Sequence, residues 1–245
     1  MSNIRKSMLE AFGLEETILD KNAMKALITI GGSGSGKSYI VKKILANVYP
    51  PPKVVDSDKI FQAKLKSANL SMKLGEPGSS EREAQTAERE KAKAVNLKVL
   101  RSLLNGMLPI LLDTTGKSYD GTIQQKQALE ALGYDVMAVI VDTSLDISQQ
   151  RNAKRERSLR PQEVETIWNA VQSNIPRYKE AFKWIIHLNN NSHETLDEAG
   201  LIKSVNKFFS APVSNPIGQE LLAKKDEPGT PIVRKVSDTD VQAFA

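Results

Sequence analysis

Residues Gly31 to Ser38 read Gly-Gly-Ser-Gly-Ser-Gly-Lys-Ser and fill every fixed position of the pattern G-x-x-x-x-G-K-[ST]. This octapeptide constrains the chain more than any other feature, because its chemistry requires a strand before it and a helix after it. Both are present. Ala26-Leu27-Ile28-Thr29-Ile30 is a short apolar run rich in β-branched residues. From Ser38 to Val48 the apolar residues Ile40, Val41, Ile44, Leu45 and Val48 recur at helical spacing. Glycines in such a loop let the backbone turn its N–H groups inward around a phosphate, and the helix adds the positive end of its dipole. Gly31, Gly32, Ser33, Gly34, Ser35, Gly36, Lys37, Ser38 and Tyr39 are therefore the candidate nucleotide-binding residues, with Lys37 reaching the β- and γ-phosphates and Ser38 ligating Mg²⁺.

The rest of the chain alternates strands and helices. Strands are expected at Val54-Val55, Met107 to Leu112, Tyr134 to Val141 and Trp184 to Leu188. Helices are expected over Lys59 to Leu65, Glu81 to Leu104 (capped by Ser79 or Ser80), Thr122 to Leu132, Ile147 to Arg157, Gln162 to Phe182 with an interruption near Pro176, and Glu194 to Phe209. Such alternation implies an α/β fold, a P-loop NTPase of the nucleoside-kinase style with a parallel sheet of about five strands and helices on both faces. The expected division is a leading helix over 1–22, a P-loop kinase domain over 23–210, and a flexible C-terminal tail over 211–245, where prolines and mixed charge replace periodicity.

Composition narrows the function. There is no cysteine, which excludes disulfides, thiolate catalysis and Cys-ligated zinc. Aromatic residues are only 5% of the chain, too few for a base-stacking platform. With 34 basic against 29 acidic residues the net charge is +5, which suits an anionic ligand without specifying nucleic acid. No apolar run approaches the roughly 18 residues of a membrane helix, so a cytoplasmic location is expected.

Two further strands end in carboxylates, at Asp56-Ser57-Asp58 and at Asp113. In a parallel sheet they share the edge that carries the phosphate loop. There a carboxylate can hold Mg²⁺ or accept the proton of an attacking hydroxyl, though Asp56 or Asp58 could equally cap the next helix. Asp113 is a candidate ligand of Mg²⁺. Thr115 and Lys117, just past Asp113, are candidate substrate contacts, as is Asp56. Arg151, Lys154, Arg155, Arg157 and Arg160 crowd one segment after the fourth strand and read as a lid whose guanidinium groups stabilise a transferring phosphoryl group. His187, within an apolar strand, is expected to be packed.

These motifs together resemble the zeta toxin and polynucleotide kinase group of P-loop kinases, over roughly Ala26 to Leu188. The matching pieces are Gly31–Ser38, Val54-Val55-Asp56-Ser57-Asp58, Leu111-Leu112-Asp113-Thr114-Thr115-Gly116-Lys117, and the basic lid ending in Arg160-Pro161-Gln162. The resemblance implies transfer of the ATP γ-phosphate to a hydroxyl, with Asp58 as the base and Arg151, Arg155 and Arg157 as lid arginines. It also implies a neutralising partner protein if the chain is a toxin. The chain carries Asp113 and Lys117 where zeta toxins carry Glu and Arg, and it lacks their His-Pro pair. The compact lid looks closer to the polynucleotide 5′-hydroxyl kinases. The acceptor therefore stays open between a sugar nucleotide and a nucleic-acid hydroxyl, with a nucleotide-dependent switch without acceptor as a third reading.

Overall fold

The computed structural model describes residues 22–73, 75–76, 78–155, 158–192, 194–226 and 235–244. The leading helix expected within 1–22 lies outside the described residues, but for Asn22, as do Arg157 and His193. Five strands form one parallel sheet in the order β2-β3-β1-β4-β5. They are β1 (Lys25–Ile30), β2 (Lys53–Val55), β3 (Ile110–Thr114), β4 (Asp135–Asp142) and β5 (Trp184–Asn189).

Every residue of β1 is buried, as is all of β4 except Asp142. Strands covered on both faces read as continuous apolar runs, which is why 26–30 and 136–141 stood out in the sequence. Alternate residues of β1 feed two cores. Ala26, Ile28 and Ile30 pack with the helices α3 (Ser80–Asn105), α4 (Tyr119–Ala131) and α6 (Pro161–Ala181). Leu27 packs with α1 (Lys37–Asn47) and α7 (Glu198–Ser210) on the opposite face. A third, smaller cluster joins Phe61 and Leu65 of α2 (Ser57–Ser67) to Ala92 of α3. The buried amide of Gln85 stitches this arm together, donating to the carbonyls of Ser71 and Lys73 and accepting from the Gly75 amide. Among the described residues no helix is long and apolar enough to cross a membrane.

Three expectations are corrected. The helix α6 passes through Pro176 without interruption, because Val171, Ile175 and Tyr178 around it are buried in the core and outweigh the lost hydrogen bond. The helix before the lid, α5 (Leu145–Ala153), ends before most of the basic run, leaving Lys154 and Arg155 beyond it. The segment after Ser210 is not simply a tail over its described parts. Pro216–Asp226 forms α8, and Val236 and Val241 are buried in the core beside α4.

That segment is anchored at the N-terminal edge of the sheet. Lys25 and Asp135, paired across β1 and β4, form a buried ion pair of 2.8 Å. The Asp135 carboxylate also accepts from the Ser214 amide and hydroxyl, both at 2.8 Å, and from the Asn215 amide at 3.0 Å. Burial opposes its ionisation, but Lys25 and Ser214 outweigh burial and hold the carboxyl below its ordinary range. Nearby, Gly133 and Gly218 approach so closely that a Cβ on Gly218 would lie 2.1 Å from the Gly133 carbonyl oxygen.

Asp135→Asn is expected to lower stability by about 3 kcal/mol, because the Lys25 ammonium is left buried without its counter-charge. The wild-type contribution of this depressed carboxyl is complete above about pH 5 and is lost as pH falls through its folded-state pKa. Urea melts between pH 3 and 7 should show this loss in the wild type and not in the variant. A chain ending at Ser210 should melt at a lower temperature and bind a hydrophobic dye, since Val213, Leu221, Leu222, Val236 and Val241 all leave the core.

Candidate functional site

The loop between β1 and α1 is built on close approach. A Cβ on Gly31 would lie 2.6 Å from the Val141 carbonyl oxygen, one on Gly34 2.2 Å from that of Ser148, and one on Gly36 2.1 Å from Asn190 Nδ2. Gly34 and Gly36 also adopt φ of 81° and 91°, a region that side chains with a Cβ avoid. Gly36 caps α1 without a side-chain hydrogen bond; the Tyr39 amide bonds the Gly36 carbonyl at 3.0 Å, and the amides of Lys37 and Ser38 before it are left for another acceptor. Lys37 Nζ donates to the Gly31 carbonyl at 2.5 Å and stands 3.6 Å from Asp113 Oδ1. A glycine cradle, uncapped amides and a lysine at its mouth fit an anionic phosphate chain. Tyr39 turns its ring away, towards Glu198 of α7 and under the Lys43 ammonium. What Tyr39 offers the loop is backbone only.

The sheet edge brings the carboxylates together. Register pairs Thr29 with Asp113, and the Thr29 hydroxyl donates to Asp113 Oδ1 at 2.9 Å. Asp56 is the cap of α2, accepting from the amides of Asp58 at 2.9 Å and Lys59 at 3.3 Å. Burial first, and then the neighbouring Asp113 carboxylate, push the Asp56 carboxyl above its ordinary range despite those amides. Asp58, in the first turn of α2, is exposed, and its carboxylate stands 4.0 Å from the Arg89 guanidinium of α3. Among the described residues no cluster of three or more His, Asp and Glu side chains forms a metal cage. A cation here would be held by few protein ligands together with ligand oxygens, the manner of Mg²⁺. Ser38, exposed at the start of α1, and Asp113 are the candidates.

Of the residues expected to form a lid, Arg155 contacts the phosphate loop directly. Arg155 donates to the Ser33 hydroxyl at 2.9 Å, and that hydroxyl donates to Asn152 Oδ1 at 2.8 Å. Asn152 in turn bonds the amide and carbonyl of Leu159, closing the lid turn. Arg151 is directed differently, onto the carbonyls of Asn190 at 2.8 Å and Asn191 at 3.4 Å. Arg160 pairs with Glu76 at 2.8 Å, joining the lid to the loop before α3. Thr115 and Lys117 are exposed on the turn after β3. That turn is fixed from α6, where Asn174 donates to the carbonyls of Gly116 and Lys117, and Tyr178 to that of Gly116.

Sequence reasoning passed over Asn152, Asn174 and Asn190, three buried amides that shape the loops. Their signal was slight. Asn190 follows an apolar strand at the functional edge, and the other two lie within helices where a buried polar residue asks for a partner. His187, expected to be packed, is exposed on the edge strand β5 with a ring nitrogen 3.0 Å from Asp142 Oδ2.

A family model described as an AAA domain matches residues 27–178. Among solved structures, a candidate kinase from Chloroflexus aurantiacus J-10-fl is similar at 13% identity, over 76% of this chain and 98% of its own, with a TM-score of 0.54. A structure from the PezAT chromosomal toxin-antitoxin system of Streptococcus pneumoniae shows 17% identity over 82% of this chain and 83% of its own, with a TM-score of 0.49. No curated protein matches the chain. At these identities the structural likeness is one of fold. The family match begins within β1 and takes in the phosphate loop, the carboxylate-bearing strand ends and the basic segment after α5. The chain thus has the α/β P-loop NTPase fold and belongs to the AAA domain family.

Proposed function

We propose that the protein is an ATP-dependent kinase that transfers the γ-phosphate to a hydroxyl of its acceptor, as in the zeta toxin and polynucleotide kinase group. The observation that carries this reading is the meeting of Lys37 and Asp113, 3.6 Å apart, at the mouth of the glycine cradle, with Asp56 beside them. A carboxylate beside the loop lysine can help hold the Mg²⁺ that phosphoryl transfer uses, and the neighbouring strand end brings the acceptor side of the site to the same edge.

In this reading the loop amides and Lys37 bind and orient the β- and γ-phosphates. Ser38 and Asp113 hold Mg²⁺, which when bound neutralises charge on the phosphate oxygens. The acceptor hydroxyl gives its proton to Asp58 as its oxygen bonds to phosphorus, and the bond from phosphorus to the β-phosphate oxygen breaks to release ADP. Asp56 has one oxygen committed to the α2 amides and serves the site as a neighbour of Asp113. Arg155, already on Ser33 of the loop, steadies the transferred group and helps exclude water. Arg157 is a further candidate for that role, and Thr115 and Lys117 contact the acceptor.

The acceptor is proposed as a sugar nucleotide or a nucleic-acid hydroxyl, and label from γ-labelled ATP offered to each class separately decides between them. Lys37→Ala should lose transfer by at least about 100-fold. Asp58→Asn should lose about 100-fold or more in kcat while ATP affinity stays within about twofold of wild type, as expected of a base that acts on the acceptor. Near-normal turnover of Asp58→Asn would sink the base assignment. Release of free phosphate at one slow rate with every acceptor would replace the kinase by a nucleotide-dependent switch.

A further inference from the structure

Asn190 lies just past β5, is 7% exposed, and is held on three sides. Its amide donates to the Asp142 carbonyl at 2.8 Å, continuing the β4–β5 pairing one step beyond the strands. Its carbonyl accepts from Arg151 Nη1 at 2.8 Å. Its side-chain Nδ2 donates to the Ser35 carbonyl at 2.7 Å and occupies the space a Cβ on Gly36 would need. The adjoining Asn191 ties the same corner to β4, accepting from the Thr143 hydroxyl and the Ser144 amide.

The bond to Ser35 sets a direction. The Ser35 carbonyl and the Gly36 N–H belong to one planar trans peptide and point to opposite sides of it. Fixing the carbonyl outward on Asn190 therefore fixes the Gly36 N–H the other way. Gly36 alone could not hold that orientation, since glycine is the residue with the most backbone freedom. The lysine that follows, Lys37, begins α1, so the same peptide sets where the first helical amides face.

We infer that Asn190 is a positioning residue that aims the Gly36 amide of the phosphate loop, and that Arg151 acts through Asn190 rather than on the phosphates. The chain of contacts runs from the lid helix through Arg151 to Asn190 and on to the Ser35–Gly36 peptide. This gives the lid a direct hold on loop geometry. The inference rests on the reading that the loop binds ATP.

Calorimetric titration of Mg²⁺-ATP into wild type, Asn190→Ala, Asn190→Asp, Arg151→Ala and the double variant Asn190→Ala with Arg151→Ala tests it, at a temperature well below every melting point. The dissociation constant should rise about 10-fold in Asn190→Ala, where a buried carbonyl loses its donor, and further in Asn190→Asp, which sets an acceptor against an acceptor. The double variant should be no weaker than Asn190→Ala, because the two residues act in series. Unchanged affinity in Asn190→Ala, with only the melting point lowered, would overturn the positioning role. Additive losses in the double variant would show Arg151 acting on its own and overturn the coupling. Failure of wild type to bind ATP would instead strike the functional reading on which the inference rests.

Discussion

The phosphate loop can exist only because three other parts of the molecule come closer to it than side chains would allow. The Val141 carbonyl, the Ser148 carbonyl and the Asn190 side chain stand where Cβ atoms on Gly31, Gly34 and Gly36 would be. Each belongs to a different element: the end of β4, the helix α5, and the loop after β5. Packing at this density leaves no room for the loop to drift without moving all three. The glycines thus do more than bend the chain. They admit α5 and the loop after β5 into contact, so these elements and the phosphate loop are one packed unit.

The two edges of the sheet put the same pair of residue types to opposite uses. At the N-terminal edge Lys25 and Asp135 are buried at 2.8 Å, and Asp135 has every approach filled by Ser214 and Asn215. A pair so satisfied is fixed, and its partners draw the C-terminal segment onto the core. At the C-terminal edge Lys37 and Asp113 are partly exposed and 3.6 Å apart, outside hydrogen-bonding distance. Lys37 leans on a neutral carbonyl instead. A cation held by a neutral acceptor and a distant carboxylate exchanges readily for a phosphate, since charge-assisted bonds are the stronger kind. One pair closes the fold; the other leaves chemistry available.

What could be read in the sequence was what is local. The strands β1 and β4 announce themselves by unbroken apolar runs, and the octapeptide 31–38 specifies its own flanks. The two-faced core follows from right-handed crossovers, whereas the order β2-β3-β1-β4-β5 comes from the structure. What could not be read depends on distant partners. Asn190 and Ser35 are far apart in the chain, and nothing local to either names the other. The C-terminal segment reads as tail because Val213, Leu221, Leu222, Val236 and Val241 are sparse and follow no single period. They become core residues only when Asp135 supplies a place to dock. Pro176 misled for the same reason, since its helix is held by burial and not by local propensity.

Asp56 shows why capping and function need not compete as readings of one residue. Its cap bonds to Asp58 and Lys59 favour the charged form, yet burial and Asp113 outweigh them and the carboxyl is pushed up. A cap chosen for stability alone would be better placed away from another carboxylate, because repulsion cancels part of what the cap contributes. The strand ends of a parallel sheet force the approach, as β2 and β3 are neighbours and both finish in aspartate at the same edge. That repulsion remains in the folded chain with Lys37 drawn towards Asp113 to offset it. Under the proposed function, a cation entering with the phosphates would relieve that repulsion, since it would place positive charge between two carboxylates that the sheet edge holds together.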